Sequence, residues 1–200
     1  MNYLTVRDQL FSELHVAALK SHGYKKKGHW VTRDLGPLVH SFYLRASRFG
    51  SQEQAVFWID VQVFSESWHR LVFPERPYRG PSEGPCLVSR ELGTWCNPPL
   101  TTLKISAETN VREMLASLSN AVDHCALPFL AGIESQEALL TQLKNTQNVD
   151  TDLSIVGLSR LLGHEAQARE YMRLAKQNAK HENDLRILEL RERNIWNNAV

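Results

Sequence analysis

Residues 54–64 read Gln-Ala-Val-Phe-Trp-Ile-Asp-Val-Gln-Val-Phe, and no other stretch of the chain narrows its possible folds as much. Successive side chains of a strand point to opposite faces, so Ala55, Phe57, Ile59, Val61 and Val63 share one side. Val56, Trp58, Asp60, Gln62 and Phe64 share the other, and that set is mixed. One wholly apolar side and one mixed side belong to a sheet covered on a single face, the habit of antiparallel sheets. Asp60, on the mixed side, is expected to be solvated.

Two further runs extend this sheet. Residues 24–33 and 38–47 flank Asp34-Leu-Gly36-Pro37, in which glycine and proline supply the dihedrals of a hairpin connection. Leu38, His40, Phe42, Leu44 and Ala46 share one side of the second run. Short strands are expected at 86–90 and 101–105, with Asn97-Pro-Pro99 breaking the chain between them. The proline- and glycine-rich stretch 73–85 reads as a long irregular loop, since pyrrolidine rings remove ladder donors.

The remaining periodicity is helical. A first helix is expected over 5–21, with Thr5 and Asp8 as its capping pair and Gly23 as a left-handed terminator. A second is expected over 110–124, with Thr109 as cap. Its apolar stripe includes Leu118, Val122 and Cys125, which places the Cys125 thiol in the core. Pro128 ends or kinks that helix, and a shorter helix follows over 135–144. From Asp150 or Thr151 onward the chain reads as helical throughout, turning at Gly163 and kinking near His181-Glu-Asn-Asp184. Residues 158–172 resemble one helix–turn–helix of a tetratricopeptide repeat. No second copy stands at the expected period of about 34 residues, so a single hairpin is the reading.

The fold class is therefore α+β: a mostly antiparallel sheet of four or five strands, helices on its apolar face, and a C-terminal helical hairpin. The expected division is an α+β domain over 1–146 and a helical annex over 147–200.

Composition narrows function by exclusion. The chain has 200 residues, 42% of them hydrophobic, with 23 Lys+Arg against 22 Asp+Glu and a net charge of +1. That is a globular composition, with no overall attraction to nucleic acid or anionic lipid. No apolar run approaches a membrane span, and Arg7, Asp8 and Glu13 interrupt any signal peptide. Three cysteines are too few for a disulfide framework and fit free thiols in a reducing cytoplasm, the expected location. Histidine and cysteine spacings do not match a zinc site, and nucleophile elbows and phosphate-binding glycine loops are missing. The expectation is a protein without metal or cofactor that is not an enzyme. An active site assembled from dispersed residues stays open as an alternative.

Charge is nevertheless uneven. Residues 1–50 hold eight basic and three acidic groups, and the middle hundred residues are acidic. Lys25, Lys26, Lys27, Trp30, Arg45 and Arg48 put cations beside aromatics, a combination that single-stranded nucleic acid exploits. Phe49, Trp58 and Asp60 lie close by in sequence. Strand alternation splits the lysines, sending Lys25 and Lys27 one way and Lys26 the other, and edge lysines also guard a sheet against aggregation. Trp58, Trp68 and Tyr78 read as exposed aromatics. In the tail, Leu185, Ile187, Leu188 and Leu190 point in several directions around a helix, more than one packed face can bury. They are expected to contact a partner or a second copy.

Gly23-Tyr-Lys-Lys-Lys-Gly-His-Trp30, Arg45-Ala-Ser-Arg-Phe49, Phe57-Trp-Ile-Asp-Val-Gln-Val63 and Pro128-Phe-Leu130 together resemble the bacterial domain of unknown function 4304 family over residues 5–145. Tyr24 stands where that family's pattern has Phe. The resemblance implies helices packed on an antiparallel sheet and carries no assigned activity. By analogy with small bacterial domains encoded beside toxins, it points to a non-catalytic cytosolic protein-binding module of the immunity type, an inhibitor of a toxin. The alternative is a single-stranded nucleic-acid binder using the basic first quarter.

Overall fold

Asn2, not Thr5, opens the first helix: its side chain accepts the Leu4 amide at 3.1 Å. This is a computed structural model, and it describes residues 2–48, 50–51, 53–82, 84–95, 103–145 and 152–198. Phe49, Cys96, Asn97-Pro-Pro99, Asp150 and Thr151 lie outside the described residues. After Asn2 comes α1 (Tyr3–Leu14), which widens into a π-turn at His15–Leu19 and tightens into a 3₁₀ turn at Lys20–His22. Gly23 then stops it at φ 82°, the left-handed conformation that only glycine adopts at no steric cost.

The run 24–33 is not one strand. Gly28, at φ 59°, folds it into β1 (Lys25–Lys27) and β2 (Trp30–Asp34), paired antiparallel with Lys27 opposite Trp30. β3 (Val39–Ala46) returns along β2 and sets Trp30 opposite Tyr43. β4 (Ala55–Phe64) follows. Between β4 and the next strand, Ser65 caps a short helix, α2 (Glu66–Val72), that the sequence reading did not separate from its surroundings. β5 (Val88–Glu91) and β6 (Leu103–Ile105) both pair antiparallel with β4, at opposite ends of it. The result is a six-stranded sheet in the order β1-β2-β3-β4-β5, with β6 also on β4.

The second long helix begins as α3 (Val111–Ala121), and its cap is Asn110, which accepts the Glu113 amide. Thr109 is occupied elsewhere, accepting from the Ser106 amide and donating to the Lys104 carbonyl. A π-turn at Val122–Ala126 carries the rod into α4 (Leu127–Ala131). Pro128 has no N–H to donate, and the helix widens just before it, as helices do near such breaks. Cys125 is half-buried, not a core residue, because the π-turn rotates it off the stripe. After α4 come α5 (Gln136–Asn145), α6 (Asp152–Leu161), α7 (Glu165–Asn178) and α8 (Glu182–Asn197). At 179–181 the chain leaves helical geometry altogether, so the expected kink is a break between two helices.

The chain forms two compact units. The first comprises Met1–Leu35, Val39–Val63 and Val88–Gly132; the second comprises Gly36–Leu38, Phe64–Leu87 and Ile133–Val200. In the first, Phe42, Leu44, Ala55, Phe57, Ile59, Val61 and Val63 are buried, and α1 packs on their side of the sheet. Lys26 confirms that side, its Nζ lying 5.9 Å from the Phe11 ring of α1. In the second, the hairpin of α6 and α7 packs with α2, α5 and α8. Trp68 is buried there, in correction of its expected exposure: its indole Nε1–H donates to the Leu153 carbonyl at 3.4 Å.

Candidate functional site

The sheet face opposite α1 collects most of the residues singled out from the sequence. Register places Lys25 opposite Thr32 and Lys27 opposite Trp30, so both lysines share the face of the Trp30 ring. Lys26 points to the other side, as strand alternation requires. Trp30 and Tyr43 stack at 4.3 Å between centroids with planes 22° apart. Two residues along β3, on the same face, Arg45 lays its guanidinium over Trp58 at 4.7 Å.

Arg45 is also held in its plane. Its Nε donates to Asp60 Oδ2 at 2.7 Å and its Nη2 to Asp60 Oδ1 at 3.0 Å, the two-point fork that matches carboxylate geometry. Nη2 also reaches Glu91 Oε2 at 3.4 Å, because β5 sets Glu91 directly opposite Asp60. The hydrogen bond to Asp60 raises the Arg45 pKa above its usual range, against the opposing effect of burial. Asp60 is only 7% exposed, in correction of its expected solvation: a carboxylate on the mixed side of a strand is covered by the arginine it binds. The Arg45 side chain itself stays 44% exposed, and among the described residues its Nη1 donates to no acceptor.

Arg48 is exposed beyond the end of β3 and takes no part in this cluster. Tyr43 and Glu91 do, and both were missed. Tyr43 alternates with Phe42 and Leu44, a signal that was readable. Glu91 comes to Asp60 only through the register of β5 on β4.

Concavities also lie away from this face. A groove of about 590 Å³ in the first unit is bounded by both π-turns and lined by Ala18, Tyr24, Arg33, Asp123, Leu127 and Leu130. A depression of about 660 Å³ in the second unit is lined by Leu153, Ala175, Ala179, Asp184, Ile187 and Leu188. Asp152 stands at its rim, where burial raises its carboxyl pKa. Of the four tail residues, Leu185 and Leu188 are half-buried, while Ile187 and Leu190 are 52% and 42% exposed. The buried side of α8 is carried by Arg191 and Ile195 instead.

No group of three or more metal-ligating side chains occurs among the described residues, and no helix there is long and apolar enough to cross a membrane. Neither a curated protein nor a solved structure matches the chain. A family model does: residues 15–132 match Domain of unknown function (DUF4304), a span that runs from the first π-turn to the end of α4 and contains the whole sheet. The chain belongs to that family.

Proposed function

We propose that the chain is a non-catalytic protein-binding module whose partner docks on the open face of the first unit's sheet. The observation that carries this reading is the row formed by the Trp30–Tyr43 stack and Trp58 beneath Arg45. Tryptophan, tyrosine and arginine dominate the energetic centres of protein interfaces, because they bury large rigid surfaces and still offer a polar edge. Here the rings are half-buried and already oriented, so little side-chain freedom is lost on binding. The Nη1 of Arg45, which donates to no acceptor among the described residues, suits a backbone carbonyl or carboxylate of the partner. The family resemblance supplies the specific form of this reading, an immunity-type inhibitor of a bacterial toxin acting in the cytoplasm.

Charge argues against single-stranded nucleic acid on the same face. Asp60 and Glu91 offset Arg45, and only two of the three lysines face the rings. Too few cations remain to follow a phosphate backbone tightly. The test is capture of partners from the native cell by tagged full chain, compared with Trp58→Ala and with Trp30→Ala/Tyr43→Ala. One captured protein that both face variants lose supports the reading. Capture indifferent to them overturns it, as does salt-sensitive single-strand binding that Lys25→Ala/Lys27→Ala abolishes.

A further inference from the structure

Helix α8 carries a row of alternating charge on its solvent side. Glu182, Arg186, Glu189 and Arg193 follow one another at intervals of four, three and four residues, which the pitch of an α-helix aligns along one flank. All four are exposed. Arg186 and Glu182 form an ion pair at 2.7 Å, while Glu189 and Arg193 have no ion-pair partner among the described residues. Beside this row stand Ile187 and Leu190, which with Val16 are the large apolar side chains most exposed among the described residues. Ile187 also borders the depression lined by Leu153, Ala175 and Ala179.

We infer that α8 is the contact through which two copies of the chain associate, their helices antiparallel about a two-fold axis. The sign pattern selects that arrangement. Read in one direction the row is acid, base, acid, base; read in the other it is base, acid, base, acid. Two copies laid antiparallel therefore set Glu182 against Arg193 and Arg186 against Glu189, each pair twice. A two-fold axis normal to both helices brings the same flank of each copy together, as an isologous contact requires. Laid parallel and in register, the same row would oppose like charges at every position. Ile187 and Leu190 of both copies leave water together in the antiparallel pair.

The patch is small. Permanent dimers bury about 2,000 Å² or more, and one helix flank with two apolar side chains falls short of that. The association is accordingly weak, reversible and salt-sensitive, since its charged pairs lie at the surface. It does not involve the sheet face and stands apart from the function proposed above.

Sedimentation velocity on the full chain, over a range of concentrations at low and high salt, tests the inference. The expected result is a monomer–dimer equilibrium whose Kd weakens about tenfold or more between roughly 0.05 and 0.5 M salt. Arg186→Glu/Arg193→Glu makes the row wholly acidic, and Glu182→Arg/Glu189→Arg makes it wholly basic. Each variant alone should be monomeric, and an equimolar mixture should dimerise again. Circular dichroism of each variant checks that the helices persist. A full chain that stays monomeric at every concentration overturns the inference. So does a dimer unchanged in both variants, or a mixture that fails to re-associate.

Discussion

The indole of Trp68 occupies the space that a side chain on Gly157 would fill. A Cβ at Gly157 would lie 2.6 Å from both Cδ1 and Nε1 of that ring and 3.0 Å from Val72 Cγ2. α2 and α6 meet at this point, and the contact distance leaves no room for a methyl group. Gly157→Ala should therefore cost about 1–3 kcal/mol through overpacking, although alanine favours helix over glycine. Trp68→Ala should cost about 3–5 kcal/mol. Urea unfolding of both variants and of Gly157→Ala in a Trp68→Leu background checks the argument. The glycine penalty should shrink in that background, because the clashing ring is gone.

Arg191 joins α8 to the end of α2. Its Nη1 donates to the Val72 carbonyl at 3.1 Å and to Glu75 Oε1 at 2.6 Å, while its guanidinium lies 4.2 Å from the Phe73 ring centroid. Arg191→Ala should cost about 2–3 kcal/mol, since it removes charge-assisted bonds from a side chain that is 6% exposed. The same hydrogen bond lowers the Glu75 pKa from its ordinary 4.5. A depressed carboxyl stabilises the fold above its unfolded pKa, and that stability is lost as pH falls through the folded value. Stability should thus drop below about pH 4.5 more steeply in wild type than in Glu75→Gln, as read by the urea midpoint at each pH.

Arg45 and Asp60 predict an asymmetric pair of outcomes. Arg45→Ala leaves a buried carboxylate without its fork and should cost about 1–3 kcal/mol. Arg45→Lys should recover only part of that loss, because an ammonium cannot make the two-point contact. Replacing both partners, Arg45→Met with Asp60→Asn, should cost less than the sum of the single changes. A double-mutant cycle by chemical denaturation measures the difference.

The two corrected caps can be separated by mutation. Asn110→Ala should cost about 1 kcal/mol by orphaning the Glu113 amide, and Asn2→Ala a comparable or smaller amount at the more exposed end. Thr5→Ala, inside α1, should be close to neutral. Thermal unfolding of the three variants suffices.

Most of the architecture was readable because it depends on local periodicity. The ten-residue alternation of β4, the hairpin at Gly36, the terminator at Gly23 and the helix pair around Gly163 all follow from spacing and backbone freedom. The misses share a cause. Thr5 and Thr109 fit the sequence pattern of a cap, but an asparagine one to three residues away has the better geometry, a choice that turns on the path of the chain before the helix. By its side of the strand alone Asp60 reads as solvated, and Trp68 reads as a surface ring. Their burial comes from Arg45, fifteen residues upstream, and from Leu153, eighty-five residues downstream. Contacts of that separation leave no mark on a single sequence. The π-turns were illegible for a different reason: an inserted residue in a helix looks like any other residue until its neighbours are seen to keep their direction.

The inserted residue sets how straight a seam the long rod of α3 and α4 can present. Leu118, Val122, Ala126 and Leu130 follow at steps of four, and all are buried. In an unbroken α-helix each such step drifts about 40°, so Leu130 would turn about 120° away from Leu118. The wider turn at Val122–Ala126 absorbs about one residue of rotation, roughly 100°, and cancels most of the drift. His15–Leu19 does the same for Leu14, Ala18 and Leu19, all of them buried. Each rod thus keeps one ruled, buried edge, and each does so by carrying one residue that an ideal helix of equal length would not need.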